Sequence, residues 1–258
     1  MAFFHAPYHL DERLPDLDFP IPDGTEATDI HVELPGADVW SRLVALYEEV
    51  AQAIAAASRA GSTPTVISGD CTVSIGMAAG LQRAGLDPAI VWVDAHGDLQ
   101  TLETTPSGYL GGMALRFLLG YRSDAIAEPL GLRPPAEDRV LLVDARDLDP
   151  AEKGYLDSTP LRRKAMEDLT ADDLPSGLIL INLDLDTLNP AERLNARYRA
   201  EGGPDLTAML RAVRTMMGTG NVAALNIACT WDPGNPADEA VRRRTLAAIL
   251  EATATPTP

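Results

Sequence analysis

The chain has 258 residues, 46% of them hydrophobic and only 5% aromatic, long enough for one large α/β domain over 1–258 rather than two small ones. Lys and Arg number 21 and Asp and Glu 38, a net charge of 21 − 38 = −17; such a surface repels phosphate backbones and argues against nucleic acid and anionic membranes as partners. No apolar run approaches the roughly 20 residues needed to span a bilayer, the N-terminus lacks the basic start and apolar core of a signal peptide, and the two cysteines, Cys71 and Cys229, are too few for a disulfide framework, which together point to a cytoplasmic protein.

Residues 1–36 are Pro-rich and read as irregular. Apolar residues then recur at Val39, Leu43, Leu46, Tyr47, Val50 and Ile54, a helical spacing closed by Gly61. From there short β-rich runs alternate with helical segments. The runs are Thr65–Ser68, Ala89–Val93, Arg139–Val143, Leu178–Leu183 and Val222–Ile227, and helical patterns lie near 72–84, 111–120, 150–157, 204–218 and 236–252. The Thr/Pro tail from Thr253 reads as disordered. This alternation predicts a mainly parallel sheet covered by helices on both faces, with no linker dividing it.

Each run ends in polar residues: "SGDC", "DAHGD", "DARDLD", "DLD" and "CTWD". Any one cluster is equally readable as turn and helix-cap chemistry. Five of them at one sheet edge imply a shared site, because ligands of open α/β sheets bind beyond the carboxyl ends of the strands. If the strand conformation persists through Gly97, Asp94, His96 and Asp98 project to one side, since side chains alternate with period 2. "NLDLDTLNP" repeats the device with Asp184 and Asp186. Four carboxylates in one pocket raise each other's pKa values unless cations neutralise them. Two divalent metals resolve that conflict, with Asp94 and Asp184 as bridges and His96 as a nitrogen ligand; Mn²⁺ suits such a set.

On these motifs the sequence resembles the ureohydrolases, the family of arginase, agmatinase and formiminoglutamase. Its Asp-Ala-His-x-Asp pattern is matched by Asp94, Ala95, His96 and Asp98. Asp-x-Asp-x-x-Asp-Pro is matched by Asp184, Asp186 and Pro190, with Asn189 in place of the last acid. The likeness runs from about Ser68 to Ser107 and resumes at 146–152 and 178–203. It implies a three-layer α/β/α arginase-like fold, two Mn²⁺ ions per chain, and hydrolysis of a guanidino carbon by hydroxide generated at the metals, with Asp94, Asp98 and Asp184 catalytic. "SGDCTVS" occupies the place of Gly-Gly-Asp-His-Ser, so Cys71 stands where the family has a ligating imidazole. A thiolate ligates in its stead, and Zn, Fe or Co then compete better with Mn; the other reading is a small buried residue at a helix start. Gln100, Thr105 and Ser107 fall on positions that hold the substrate's α-carboxylate in arginases. Asp149 and Glu152, in "RDLDPAE", match residues near its α-amino group, and the same letters also make a helix N-terminus. The implied partner is a small guanidino amino acid.

Two departures bear on the substrate. Arginases carry a proton-shuttling His in the substrate loop, where this chain has Gly111. They also carry a Glu that grips the guanidinium, where this chain has Cys229 or Thr230; Asp232 and Glu239 are the nearby acids. A guanidinium without a carboxylate partner binds poorly, whereas an uncharged N-hydroxyguanidine does not need one. The combination resembles Nω-hydroxy-L-arginine amidinohydrolases of D-cycloserine biosynthesis, which form hydroxyurea and L-ornithine. Two alternatives stay open: another guanidino or amidino substrate, with Gln100 and Tyr198 lining a different pocket, or an inactive metal-binding member. The chain ends soon after the helix near Glu251, and with the high like charge this predicts a monomer rather than a trimer.

Overall fold

The computed structural model describes residues 1–14, 21, 23–36, 38–192, 194–228, 230–231 and 236–254. Among these described residues, ten strands and seven α-helices follow in chain order. β1 (Ala2–Ala6), β2 (Tyr8–His9), β3 (Glu12–Arg13) and β4 (Ala27–Asp29) precede α1 (Val39–Arg59), β5 (Pro64–Ser68), α2 (Val73–Arg83) and β6 (Ala89–His96). Then come α3 (Ala114–Leu118), α4 (Ala127–Leu130), β7 (Val140–Asp147), α5 (Pro150–Ser158) and β8 (Arg162–Lys164). β9 (Ile179–Asp184), α6 (Leu206–Gly218), β10 (Val222–Ala228) and α7 (Pro236–Ala254) close the sequence. Eight strands form one sheet in the order β4-β1-β5-β10-β9-β6-β7-β8, and its pairs are parallel throughout.

Strand alternation builds the two apolar layers. In β6, Ile90 and Trp92 join the core beneath α1 to α4, while Ala89, Val91 and Val93 join the core beneath α6 and α7. β7 divides the same way, Val140 and Leu142 against Leu141 and Val143. Continuous apolar runs are what a strand buried on both faces requires. The result is the three-layer α/β/α arrangement expected from the alternation. α1 starts where the Asp38 carboxylate accepts from the Trp40 and Ser41 amides at 3.0 and 3.2 Å, satisfying first-turn donors. Among the described residues, no helix is long and apolar enough to cross a membrane.

The irregular reading of residues 1–36 is corrected at its start. Ala2–Ala6 is an inner strand, paired to β5 from Ala2↔Pro64 to Ala6↔Ser68 and to β4 on its other side. Five residues followed by Pro7 give too short a run for periodicity to register, and the pairing is made with a strand some 60 residues on. The tail is corrected too: Thr253 and Ala254 belong to α7, the Thr253 hydroxyl donating to the Leu250 carbonyl at 2.7 Å. Residues 255–258 lie outside the described residues.

Candidate metal centre

β6 and β9 are neighbours, so the polar residues after them meet at one edge. In each, the first Asp turns back on its own chain: Asp94 Oδ1 accepts from the His96 amide at 2.8 Å, and Asp184 Oδ1 from the Asp186 amide at 2.8 Å. The strand does not persist as far as the sequence pattern suggested. β6 ends at His96, and Asp98 enters the cluster through a left-handed backbone, φ +53°, a conformation that Asp tolerates better than most residues. The pairing of β6 with β7 shifts at the same point, His96 facing Asp147, because Asp144 and Ala145 also take positive φ, +77° and +48°. Between His96 and Asp98, a Cβ on Gly97 would stand 2.7 Å from Glu152 Oε1, so any side chain there would displace that carboxylate.

Six side chains converge. Ligand atoms of Cys71, Asp94 and Asp98 lie within 4.8 Å of one another, as do those of Asp94, His96 and Asp186. Asp94 belongs to both groups. Asp184 joins through Oδ2, to which the Cys71 thiol donates at 2.9 Å. His96 Nδ1 is 3.2 Å from Asp94 Oδ1 and 3.3 Å from Asp186 Oδ2. All six line a single cavity of about 240 Å³.

The carboxylates of the cluster raise one another's proton affinity. Burial, then Asp94, pushes the Asp98 carboxyl well above the carboxylate range; burial, then Asp186, does the same to Asp184. Burial and Asp94 raise Asp186 to about 6. Burial alone would lower His96, but the Asp186 and Asp94 carboxylates hold it at about 12. Burial and the charges of Asp184 and Asp94 keep Cys71 a thiol. Divalent ions would take the place of those protons. The donor set fits them: four carboxylates, an imidazole and a thiol, with Asp186 Oδ1 buried and lacking a hydrogen-bond partner among the described residues.

A polar network behind Cys71 went unread in the sequence. Asn182 Nδ2 donates to Cys71 Sγ at 3.0 Å. Asn182 Oδ1 accepts from Ser74 Oγ at 2.8 Å and from Asn226 Nδ2 at 3.0 Å, and Asn226 Oδ1 accepts from Ser68 Oγ at 2.8 Å. Ser68, Ser74, Asn182 and Asn226 are fully buried. Buried polar groups persist only when so satisfied, and this chain of them fixes the thiol's direction. The signal was present: one Asn interrupts each of the apolar runs of β9 and β10.

Gln100, Thr105, Ser107, Asp149, Glu152 and Thr230 line the same cavity. Gln100 Nε2 donates to Asp149 Oδ2 at 2.6 Å, and Gln100 Oε1 accepts from Thr104 Oγ1 at 2.7 Å. Glu152 has a structural duty: its carboxylate accepts from the Leu99 and Asp149 amides, both at 3.0 Å, tying the loop after β6 to the start of α5. Thr230 donates to the Gly69 carbonyl. Cys229 and Asp232 lie outside the described residues. Glu239 does not reach the cavity; it faces Arg243 on α7 at 3.4 Å. Asn189 caps a turn, accepting from the Ala191 amide at 2.9 Å, and lines a separate hollow.

The arginase family model matches residues 8–250. The arginase of Bacillus subtilis (strain 168) is 29% identical over 211 residues, 76% of this chain and 71% of that protein. The arginase of Eremothecium gossypii is 30% identical over 194 residues, 68% of this chain, and the match spans only 48% of that longer protein. The crystal structure of the Bacillus subtilis arginase superposes with a TM-score of 0.82 at 23% identity, covering 99% of this chain and 98% of the other. The Entamoeba histolytica arginase in complex with L-ornithine gives 0.81 at 18% identity, covering 98% and 97%. At these identities the structures testify to a shared fold.

Proposed function

Because the chain belongs to the arginase family, we propose that it is a binuclear metal hydrolase that cleaves Nω-hydroxy-L-arginine to hydroxyurea and L-ornithine. The observation that carries the reading is the pair of ligand groups, Cys71–Asp94–Asp98 and Asp94–His96–Asp186, sharing Asp94 in one cavity. Two divalent ions, Mn²⁺ first among them, would be held by these residues and Asp184. When bound, they lower the pKa of water towards neutrality. The protein's own part is positional. Asn182 aims Cys71, Asp94 and Asp184 are fixed by backbone amides, and Gln100 holds Asp149 within reach of an amino-acid head group.

Substrate choice rests on the replacement of the family's guanidinium-binding Glu by Cys229 or Thr230. Cys229 lies outside the described residues, and Thr230 offers a hydroxyl already engaged with Gly69. A buried guanidinium would lose a charge-assisted contact worth roughly 1.5–3 kcal/mol, while an uncharged N-hydroxyguanidine would not. The test is a guanidino panel incubated with Mn²⁺-loaded protein, the products identified by mass. Hydroxyurea from Nω-hydroxy-L-arginine supports the reading. Release of urea alone, from L-arginine or agmatine, replaces it with an ordinary ureohydrolase, and no product from any compound leaves an inactive metal-binding member.

A further inference from the structure

Tyr109 and Tyr198 line the same cavity as the ligand cluster, and His9 stacks against them. His9, from β2, is 8% exposed. Its Nδ1 lies 2.8 Å from Thr230 Oγ1 and 3.4 Å from Asp70 Oδ2, and its Nε2 lies 3.3 Å from Tyr109 Oη. The His9 and Tyr109 rings stack at 5.7 Å, and Tyr198 lies 4.9 Å from Tyr109.

Hydrogen-bond polarity follows from the partners. The Thr230 hydroxyl gives its one proton to the Gly69 carbonyl, so towards His9 it accepts, and a carboxylate at Asp70 also only accepts. In the neutral imidazole Nδ1 therefore carries the proton and Nε2 accepts from the Tyr109 hydroxyl. The phenol then donates to His9, and its oxygen, which also meets the Tyr198 hydroxyl, has acceptor capacity in the cavity that both tyrosines line. Burial first, and then the Asp70 charge, push the ionisation of Tyr109 upward, so the phenol stays neutral.

Gly111 completes the device. A Cβ at 111 would stand 2.3 Å from Tyr109 Cζ and Oη, so no side chain at 111 is compatible with this ring position. The phenol occupies the space that a longer residue there would need.

We propose that Tyr109 Oη, oriented by His9, is the neutral hydrogen-bond acceptor for the amidino end of the substrate, taking the O–H of an N-hydroxyguanidine. The preference for that O–H rests on the function proposed above; the acceptor role itself applies to whichever guanidino group enters. A neutral acceptor pairs well with a hydroxyl and fails to compensate a buried cation. His9 is a positioning residue, acting through Tyr109.

The test compares wild type, Tyr109→Phe, His9→Ala and the double variant, each loaded with Mn²⁺, on Nω-hydroxy-L-arginine and L-arginine, with L-ornithine as competitive inhibitor. Tyr109→Phe keeps the ring and removes the acceptor. It is expected to lower kcat/KM for Nω-hydroxy-L-arginine about tenfold, chiefly through KM, to lower that for L-arginine less than about threefold, and to leave ornithine inhibition unchanged. His9→Ala is expected to cost about threefold alone and nothing further in the Tyr109→Phe background, as a residue acting through the phenol must. An unchanged KM in Tyr109→Phe overturns the acceptor role, and an additive His9→Ala effect overturns the positioning role. Should wild type prefer L-arginine, the proposed substrate falls while the phenol is judged separately: an approximately tenfold KM rise for L-arginine in Tyr109→Phe keeps it as the acceptor, and none removes it. Without turnover, calorimetric dissociation constants for the same compounds are compared in the same way.

Discussion

The floor and the aromatic wall of this cavity are built by opposite means. The floor comes from two adjacent strand ends, and each uses one local device, a first Asp accepting from the amide two residues on, at 2.8 Å in both. The wall comes from distant parts of the chain: His9 reaches Thr230 across 221 residues and Tyr109 across 100. On the proposed function the floor would hold the metal and the wall would choose what lies over it. Changes in the two should therefore separate, floor substitutions moving metal content and kcat, wall substitutions moving the ranking of substrates.

The sharpest break falls on the shared ligand. Asp94→Asn should lower kcat by about 10³-fold, about 4 kcal/mol of barrier, and reduce the metal content from two ions per chain towards one. Metal analysis beside the rate constant checks this; a variant retaining both ions and full activity would separate Asp94 from the centre.

Next in size is the support behind the thiol. Asn182→Leu removes the donor to Cys71 Sγ and leaves Ser74 and Asn226 without their shared acceptor. Second-layer losses of this kind cost about 10–100-fold in metal affinity, to be read by Mn²⁺ titration. Unchanged affinity would mean that Cys71 needs no such aim, or does not ligate.

Thr230→Glu sharpens the comparison from the wall. Read from the family pattern alone, it restores a guanidinium partner. In the structure it takes away the acceptor facing His9 and sets a second carboxylate near Asp70. The expected outcome is a loss of about 1–3 kcal/mol in stability, with metal content intact, measured by denaturant melts. Lower metal content would tie the wall to the floor more closely than the account allows.

A smaller effect concerns pH. Without metal, Asp186 is held at about 6 and His96 at about 12, both above their ordinary values. A raised folded-state pKa gives stability that is complete at low pH and lost as pH rises, for Asp186 through about 6 and for His96 from about 6.5 upward. Metal requires the same groups deprotonated. The rise in Tm on adding Mn²⁺ should therefore grow steadily from about pH 5 to pH 8; a constant or shrinking increment would place the metal elsewhere. Smallest in consequence is the oligomeric state, for which gel filtration at several concentrations should show a monomer.

How much of this was legible in the sequence follows the same division. Asp94, His96, Asp184 and Asp186 declare themselves because metal chemistry restricts residue type and strand ends restrict position. Asp98 is expected both from the Asp-Ala-His-x-Asp pattern and from an alternation that does not hold, since a left-handed turn brings it in rather than a continued strand. Asn182 was visible as a polar residue in an apolar run, but its partners, on a helix and a neighbouring strand, were not. His9 carried no local signal at all, lying in a Pro-rich segment whose first strand was itself too short to show a period. Tyr109 stands two residues before a Gly whose meaning lies in the ring it admits, a relation of space rather than of spacing.

The central claim, that the floor supplies a hydrolytic metal site and the wall selects an uncharged hydroxyguanidine, is tested most directly by competition. Nω-hydroxy-L-arginine and L-arginine are offered together to Mn²⁺-loaded wild-type protein, and hydroxyurea and urea are quantified in the same reaction. The account predicts a kcat/KM ratio of at least about 10² in favour of the hydroxylated substrate, most of which the missing charge-assisted contact explains. Equal turnover of the two, or an excess of urea, would contradict it.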